Sequence, residues 1–356
     1  MGTIIGRTRK DGTTAYVAQI LLKRKGQIVH RESQTFDRKQ VARAWIARRE
    51  TELAEGIPDR SKDVRLGDVI DRYVRESERA IGRTKAQVLA KIKEYDIANF
   101  RCSEIKSEHL VEFARTLKVQ PQTRANYLSH LSAVFRVARP LWGYPLDLQQ
   151  VQDAMIAMRK LGTIAKGNKR DRRPTLEELD QLLAHFENIR AHRPQSAPMA
   201  KIIAFAIFST RRQEEITRIS WADYDKEAAR VWVRDMKSPG DKKGNHVLCE
   251  LPPEAVAVID SMPRTAPQIF PYSTDAISAA FTRACQHLQI EDLHFHDLRH
   301  EGVSRLFEMG RTIPQVAAVS GHRSWNSLQR YTHLRQTGDK YFNWRWLGVA
   351  TAPPTD

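Results

Sequence analysis

The sequence predicts a multidomain chain, mainly α-helical with small β elements, and three observations predict it. The 356 residues exceed what one small hydrophobic core accommodates. Apolar residues recur at helical spacing through most of the chain from residue 62 onward, while strand-like runs are confined to a stretch near the N-terminus and one around 230–251. A basic tract at 159–173 carries seven Lys or Arg against one Asp, with two glycines and few large apolar side chains, and separates two helical blocks as an extended linker.

The first block is 1–58. "TTAYVAQILLKR" and "QIVHRESQTF" flank Lys25-Gly26 and read as a hairpin. Asp37 is placed to cap the helix that follows, with Val41, Ala44, Trp45, Arg48 and Leu53 marking it and Gly56 ending it. Up to Arg60 there are 13 Lys and Arg against 7 Asp and Glu, so this small sheet with one helix is a candidate DNA-binding module.

The second block, 62–158, is helical. Ser107 opens an amphipathic helix with Leu110, Val111, Phe113 and Ala114. In "PQTRANYLSHLSAVFRVAR", Leu128, Leu131, Val134 and Phe135 form the core face, and Arg124 near its start suits phosphate or base contacts. Lys166, Lys169, Arg170, Arg172 and Arg173 of the linker are further candidates for the DNA backbone.

The third block, 174–356, starts at a capping box, Thr175 with Glu178. A buried helix over 198–210 precedes a strand-turn-strand with Pro239-Gly240 in its turn. Helices follow at 274–288, 296–309 and 312–319, and around 325–331. The aromatic end "KYFNWRWLGVA" docks on its own domain or on a neighbour.

Composition bounds the partners. Lys plus Arg number 58 and Asp plus Glu 42, a net charge of +16, which points to a polyanion. A hydrophobic content of 41% excludes a disordered basic tail. Cys102, Cys249 and Cys285 are odd in number and lack a CxxC pair, so a reducing cytoplasm is expected and a disulfide framework is not. The longest nearly apolar run, 199–208, is about half a bilayer span and contains Lys201. No membrane partner is expected.

Candidate chemistry gathers in "LHFHDLRHEG", 293–302. His296 and Arg299 stand three apart on the predicted helix and can bind a phosphate and move its protons. His300, four from His296, also allows a metal clamp, which would need a third ligand. Asp297 and Glu301 point off that face, and His294 and His300 are otherwise read as structural or as supports behind the residues that act. Elsewhere, "STRRQEEI" holds an Arg-x-x-Glu-Ile, Lys237 precedes the hairpin turn, Gly321-His322 follows a helix, and Tyr331 comes nine residues later.

With these residues in order, the chain resembles the tyrosine recombinase, or phage integrase, family. The resemblance covers about 170–356 firmly and extends to 62–158 as the family's helical core-binding domain and to 1–58 as an arm-type DNA-binding domain. It makes 174–356 a mixed α/β catalytic domain with a C-terminal tail. The family arginine falls on Arg212, its hairpin lysine on Lys237, its His-x-x-Arg on His296 and Arg299, its Gly-His on His322 and its nucleophile on Tyr331. Glu215 orients the arginine region. The family's Thr-Gly is here Ser209-Thr210, and Arg211 beside Arg212 leaves the register open until the two are separated.

The resemblance implies DNA strand cleavage and rejoining through a 3′-phosphotyrosyl intermediate, with no cofactor and no metal. Arg212 and Arg299 would neutralise the transition state, Lys237 would protonate the leaving 5′ oxygen, and His296 would help take the tyrosine proton. It implies double-stranded DNA as partner, a homotetramer on paired sites, and accessory DNA-bending or directionality proteins, in a bacterial cytoplasm. Integration or excision of a phage or mobile element leads; a shufflon-type invertase and a dimer resolvase are alternatives. A noncatalytic DNA-binding regulator would need neither Tyr331 nor Lys237, and a nuclease built on His294, His296 and His300 would need a metal.

Overall fold

The structure, a computed structural model, describes residues 2–9, 12–24, 27–54, 63–167, 170–236 and 244–353. The chain divides into two compact units, Met1–Asn168 and Lys169–Asp356, and the division falls within the basic 159–173 tract.

In the first unit, β1 (Gly2–Thr8), β2 (Thr14–Arg24) and β3 (Gln27–Phe36) form an antiparallel sheet in that order. The pairing register of β2 with β3 shifts between Leu22 and Lys23. Helix α1 (Lys39–Ala54) covers one face, burying Ala42, Trp45 and Leu53 against Ala18 and Ile20. The buried stripe is one residue out of phase with the sequence expectation. Val41 is exposed, because Trp45 must reach the Phe36 ring, 5.8 Å away, and that fixes the rotation of the helix.

The rest of this unit is a helical array: α2 (Leu66–Glu76), α3 (Arg83–Ile92), α4 (Ser107–Thr116), α5 (Pro121–Trp142) and α6 (Leu148–Lys160). Leu128, Leu131, Val134 and Phe135 of α5 lie in its core as the periodicity predicts. Ser107 is the first residue of α4 and does not cap it. Its hydroxyl is drawn to Gln150 of α6 at 2.9 Å, and His109 Nδ1 accepts from the Lys106 N–H in its place.

The second unit is built around α8 (Met199–Ser209), which follows α7 (Leu176–His192) and is buried on almost every side. Thr175 and Glu178 form the expected reciprocal cap of α7. After α8 come the short α9 (Gln213–Ile216) and a small antiparallel sheet, β4 (Tyr224–Asp225), β5 (Arg230–Val233) and β6 (Val247–Glu250). The arms β5 and β6 stay paired as far as Met236, whose N–H donates to Asn245 at 2.8 Å. The expected Pro239-Gly240 turn lies outside the described residues.

Helices α10 (Pro253–Asp260), α11 (Thr274–His287), α12 (Asp297–Glu308) and α13 (Ile313–Ser320) complete the shell. Gly302 lets α12 cross α8 closely, since a Cβ there would sit 2.0 Å from the Ile207 carbonyl oxygen. The stretch around 325–331, expected as a helix, is two 3-10 turns, Trp325–Ser327 and Gln329–Tyr331. Its apolar residues are too few for a helical stripe, with Leu328 and Tyr331 alone buried.

The aromatic end folds onto its own unit. Helix α14 (Arg345–Thr351) packs on α8 and α10, and Tyr341, Trp344 and Ala350 are core residues. Trp344 donates to Asp180 at 3.1 Å. Phe342 stays 79% exposed, which leaves it alone among the tail's large aromatic rings fully on the surface. Among the described residues, no helix is long and apolar enough to cross a membrane.

Candidate active site

The site begins where α8 ends. Thr210 occupies the left-handed region at φ 57°, a conformation natural to glycine, and turns the chain sharply. The turn exposes its carbonyl, which accepts from Arg299 Nη1. It also sends Arg211 and Arg212 in different directions.

Arg211 is fully buried. It donates to the Ser209 carbonyl at 3.1 Å, to Cys249 Sγ at 3.1 Å and to the Val319 carbonyl. It therefore ties the end of α8 to β6 and to the end of α13. Arg212 opens α9, and its side chain keeps 28% exposure while gripping Glu215 Oε1 at 2.6 Å. Only Arg212 of the pair is both near the site and reachable from solvent.

Glu215 is the counter-ion of the whole site. Arg212, Arg211 and Arg299 lie 2.6, 3.8 and 4.0 Å from its carboxylate. Burial alone would raise its pKa, but the surrounding guanidinium groups hold it below the usual carboxylate range. Three arginines around one carboxylate leave an excess of positive charge, which is the requirement for binding a phosphodiester.

Helix α12 supplies the opposite wall. His296 stands at its N-cap, and Arg299 is buried in its first turn, donating to the Ser320 carbonyl at 3.1 Å and lying 3.2 Å from His322 Nε2. Desolvation, then Arg212 and Arg211, lower the Arg299 pKa to about 9, so it keeps its charge at neutral pH. His322 follows Gly321, which caps α13 at φ 70°, and its Nδ1 is 2.7 Å from the Ser320 hydroxyl. Burial and then Arg299 lower the His322 pKa to about 3, and burial and then Arg299 also lower that of His296. Both imidazoles are neutral at pH 7, and that of His322 is held between the Arg299 guanidinium and the Ser320 hydroxyl.

Tyr331, in the second 3-10 turn, is buried with its ring stacked on Phe307 at 6.1 Å. Its hydroxyl lies 2.5 Å from His300 Nδ1. The sequence left His300 as a structural residue or a support behind the catalytic ones and assigned the tyrosine proton to His296. The structure brings His300, not His296, to the hydroxyl, and His296 meets the His300 ring edge-on at 4.9 Å. Positions 300 and 307 share a face of α12 two turns apart, and the Tyr331 ring lies 6.1 Å from each of their rings.

The linker arginines do not follow an extended path free for DNA. Arg170 chelates Asp297 at 2.7 Å and Asp292 at 2.8 Å, Arg172 pairs with Glu178, and Arg173 pairs with Glu301 at 2.7 Å and Glu308 at 2.6 Å. The reason is that Asp297 and Glu301 point into the protein with no exposed side-chain surface, and buried carboxylates must be paired. Arg330, just before the tyrosine, donates to the Arg170 carbonyl and to Asp171. Arg124 is likewise engaged, donating to the Leu117 carbonyl at 3.0 Å. Lys166 is exposed. Lys237 and Lys169 lie outside the described residues. His294 is 61% exposed, and among the described residues no group of three or more His, Cys, Asp or Glu is arranged to hold a metal ion.

Residues 172–337 match the model of the phage integrase family. A shufflon-specific DNA recombinase of Escherichia coli is 32% identical over 256 residues, which cover 68% of this chain and 62% of the relative's own length. Among solved structures, the Tn1549 transposon integrase in complex with a circular intermediate DNA superposes with a TM-score of 0.58 at 13% identity, over 76% of this chain and 95% of that one. A lambda integrase dimer bound to a COC′ core site superposes with a TM-score of 0.51 at 16% identity, over 95% of this chain and 96% of that one. At such identities the superpositions speak for the fold. Residues 172–337, which hold the site from Arg211 to Tyr331, thus match the phage integrase, or tyrosine recombinase, family.

Proposed function

We propose that this protein is a site-specific DNA recombinase that cuts and rejoins strands through a 3′-phosphotyrosyl intermediate. The observation that carries the reading is the convergence of Arg212, Arg299 and the buried Arg211 on the single carboxylate of Glu215, with Tyr331 packed against the helix that carries Arg299.

In this reading a scissile phosphate sits between Arg212 and Arg299, with His322 and His296 completing its hydrogen bonds. The Tyr331 oxygen attacks phosphorus and displaces the 5′ oxygen, which takes its proton from Lys237, a role that rests on the family resemblance. The covalent bond conserves the phosphodiester energy for rejoining. Fixed guanidinium charges supply the transition-state stabilisation. The sheet with α1 and the helical array at 66–160 are arm-type and core-type DNA-binding regions, with Lys166 and the shallow groove lined by Lys118, Gln120, Thr123 and Arg124 as contact candidates. Double-stranded DNA is the partner, bound by a homotetramer on paired sites with accessory DNA-bending or directionality proteins.

Integration or excision of a mobile element is the leading reaction. The 32% identity to a shufflon-specific recombinase favours DNA inversion as a second reading. A plasmid carrying two copies of a DNA site selected by binding separates them. Inverted copies that flip without added factors support inversion; strand transfer only between two different partner sites supports integration. No strand exchange with either arrangement would contradict both.

A further inference from the structure

The hydroxyl of the candidate nucleophile has one close partner on the wall that holds its ring. We propose that His300 is the general base of the reaction: it takes the Tyr331 hydroxyl proton as the oxygen attacks phosphorus and returns it when the DNA strand is rejoined. The proposal rests on Tyr331 being the nucleophile.

The geometry carries it. His300 Nδ1 and Tyr331 Oη are 2.5 Å apart, within the reach that proton transfer requires. The Tyr331 ring lies within 13° of parallel to Phe307 and 6.1 Å from the His300 ring, so the two neighbours flank the phenol. His300 is one turn beyond His296, and the two rings meet edge to face. His296 thus has its ring against His300, and Arg299 and Arg212 act on its charge.

The groups around the pair set the resting protonation state of each. Arg330 and Arg299 act on both, with His296 and Asp297 facing His300 and with Asp171 and Arg173 facing Tyr331. Burial first, and then His296 and Arg330, lower the His300 pKa to about 4, so the imidazole is neutral at pH 7 and has a lone pair to offer. Burial raises that of Tyr331, so the phenol cannot ionise on its own at that pH.

The step balances. With the other ring nitrogen protonated, Nδ1 accepts the proton as the Tyr331 O–H bond breaks. The freed pair forms the bond to phosphorus, and the phosphorus–O5′ bond breaks toward its own proton donor. Rejoining reverses each transfer: the 5′ hydroxyl attacks, and Tyr331 leaves with the proton held on His300. No outside oxidant, reductant or co-reactant is needed.

The test measures the rate of covalent complex formation on a nicked duplex carrying the selected site. His300→Asn, which keeps a polar atom near the hydroxyl but is no base, should slow this step about 100-fold while leaving duplex affinity unchanged. Its rate should climb with pH where the wild-type rate is flat between about pH 5 and about pH 8. Ring-fluorinated tyrosine at position 331, which ionises more readily, should restore most of the loss. A 5′-bridging phosphorothiolate, whose leaving group needs no proton, should not. His300→Gln serves the same comparison should the Asn variant melt early. A wild-type rate in these variants, or a defect rescued by the phosphorothiolate and not by fluorination, would overturn the proposal. A covalent complex formed by Tyr331→Phe would instead overturn the nucleophile assignment beneath it.

Discussion

Arg211 and Arg212 show how much one residue of register decides. Both are arginine, both precede Glu215, and sequence spacing could only prefer one. Burial separates them. Arg211→Ala would strand the Ser209 and Val319 carbonyls and weaken the neutralisation of Glu215 in a dry interior, at a cost of about 3 kcal/mol in chemical denaturation. Arg212→Ala should keep the wild-type melting transition within a few degrees and lose cleavage by at least about 100-fold. Thr210, where the family has glycine, holds φ 57° at a strain cost of about 1 kcal/mol. Thr210→Gly is therefore expected to raise the melting temperature by about 2 to 4 °C, read by calorimetry. The sequence pointed to the departure from glycine but not to its geometry, because a positive φ is set by what surrounds the turn.

At the scale of elements, the order Arg, His-x-x-Arg, His, Tyr was legible before the fold because the chemistry fixes residue types and the scaffold fixes their gaps. The partners of these residues were not legible, since they come from far along the chain. Asp297 and Glu301 were expected only to point off the His296–Arg299 face; there they anchor Arg170 and Arg173 from the linker. Helix phase was equally hidden in α1, where the aromatic contact between Trp45 and Phe36 overrides the apparent stripe. The crossing of α8 and α12 depends on Gly302. Gly302→Ala must push the helices apart, and it should destabilise the unit by about 3 kcal/mol and reduce cleavage together, because Arg299 rides on the same helix. A wild-type melting curve for this variant would count against the close crossing.

For the whole molecule, composition alone indicated a polyanion, and the net charge of +16 makes a quantitative demand. Duplex binding should weaken by about a thousandfold between roughly 50 and 200 mM salt, as counterion release requires for some six phosphate contacts. A flat salt dependence would mean that the excess charge serves something else. The aromatic tail was open to two readings, docking on its own domain or on a neighbour. Its Trp344 is buried on its own unit, so Trp344→Ala should cost about 3 to 5 kcal/mol in a monomer, whereas exposed Phe342→Ala should leave the melting curve unchanged.

All of these expectations converge on one oxygen, that of Tyr331. The direct measurement is covalent trapping on a suicide duplex, nicked beside each position of a binding-selected site in turn and resolved in SDS. The wild-type chain should yield a band in which protein and DNA migrate together and which protease digestion shortens, while Tyr331→Phe, equally folded and equally tight on DNA, should yield none. A trapped complex in the Phe variant, or none in the wild type on DNA it binds and bends into paired sites, would contradict the account.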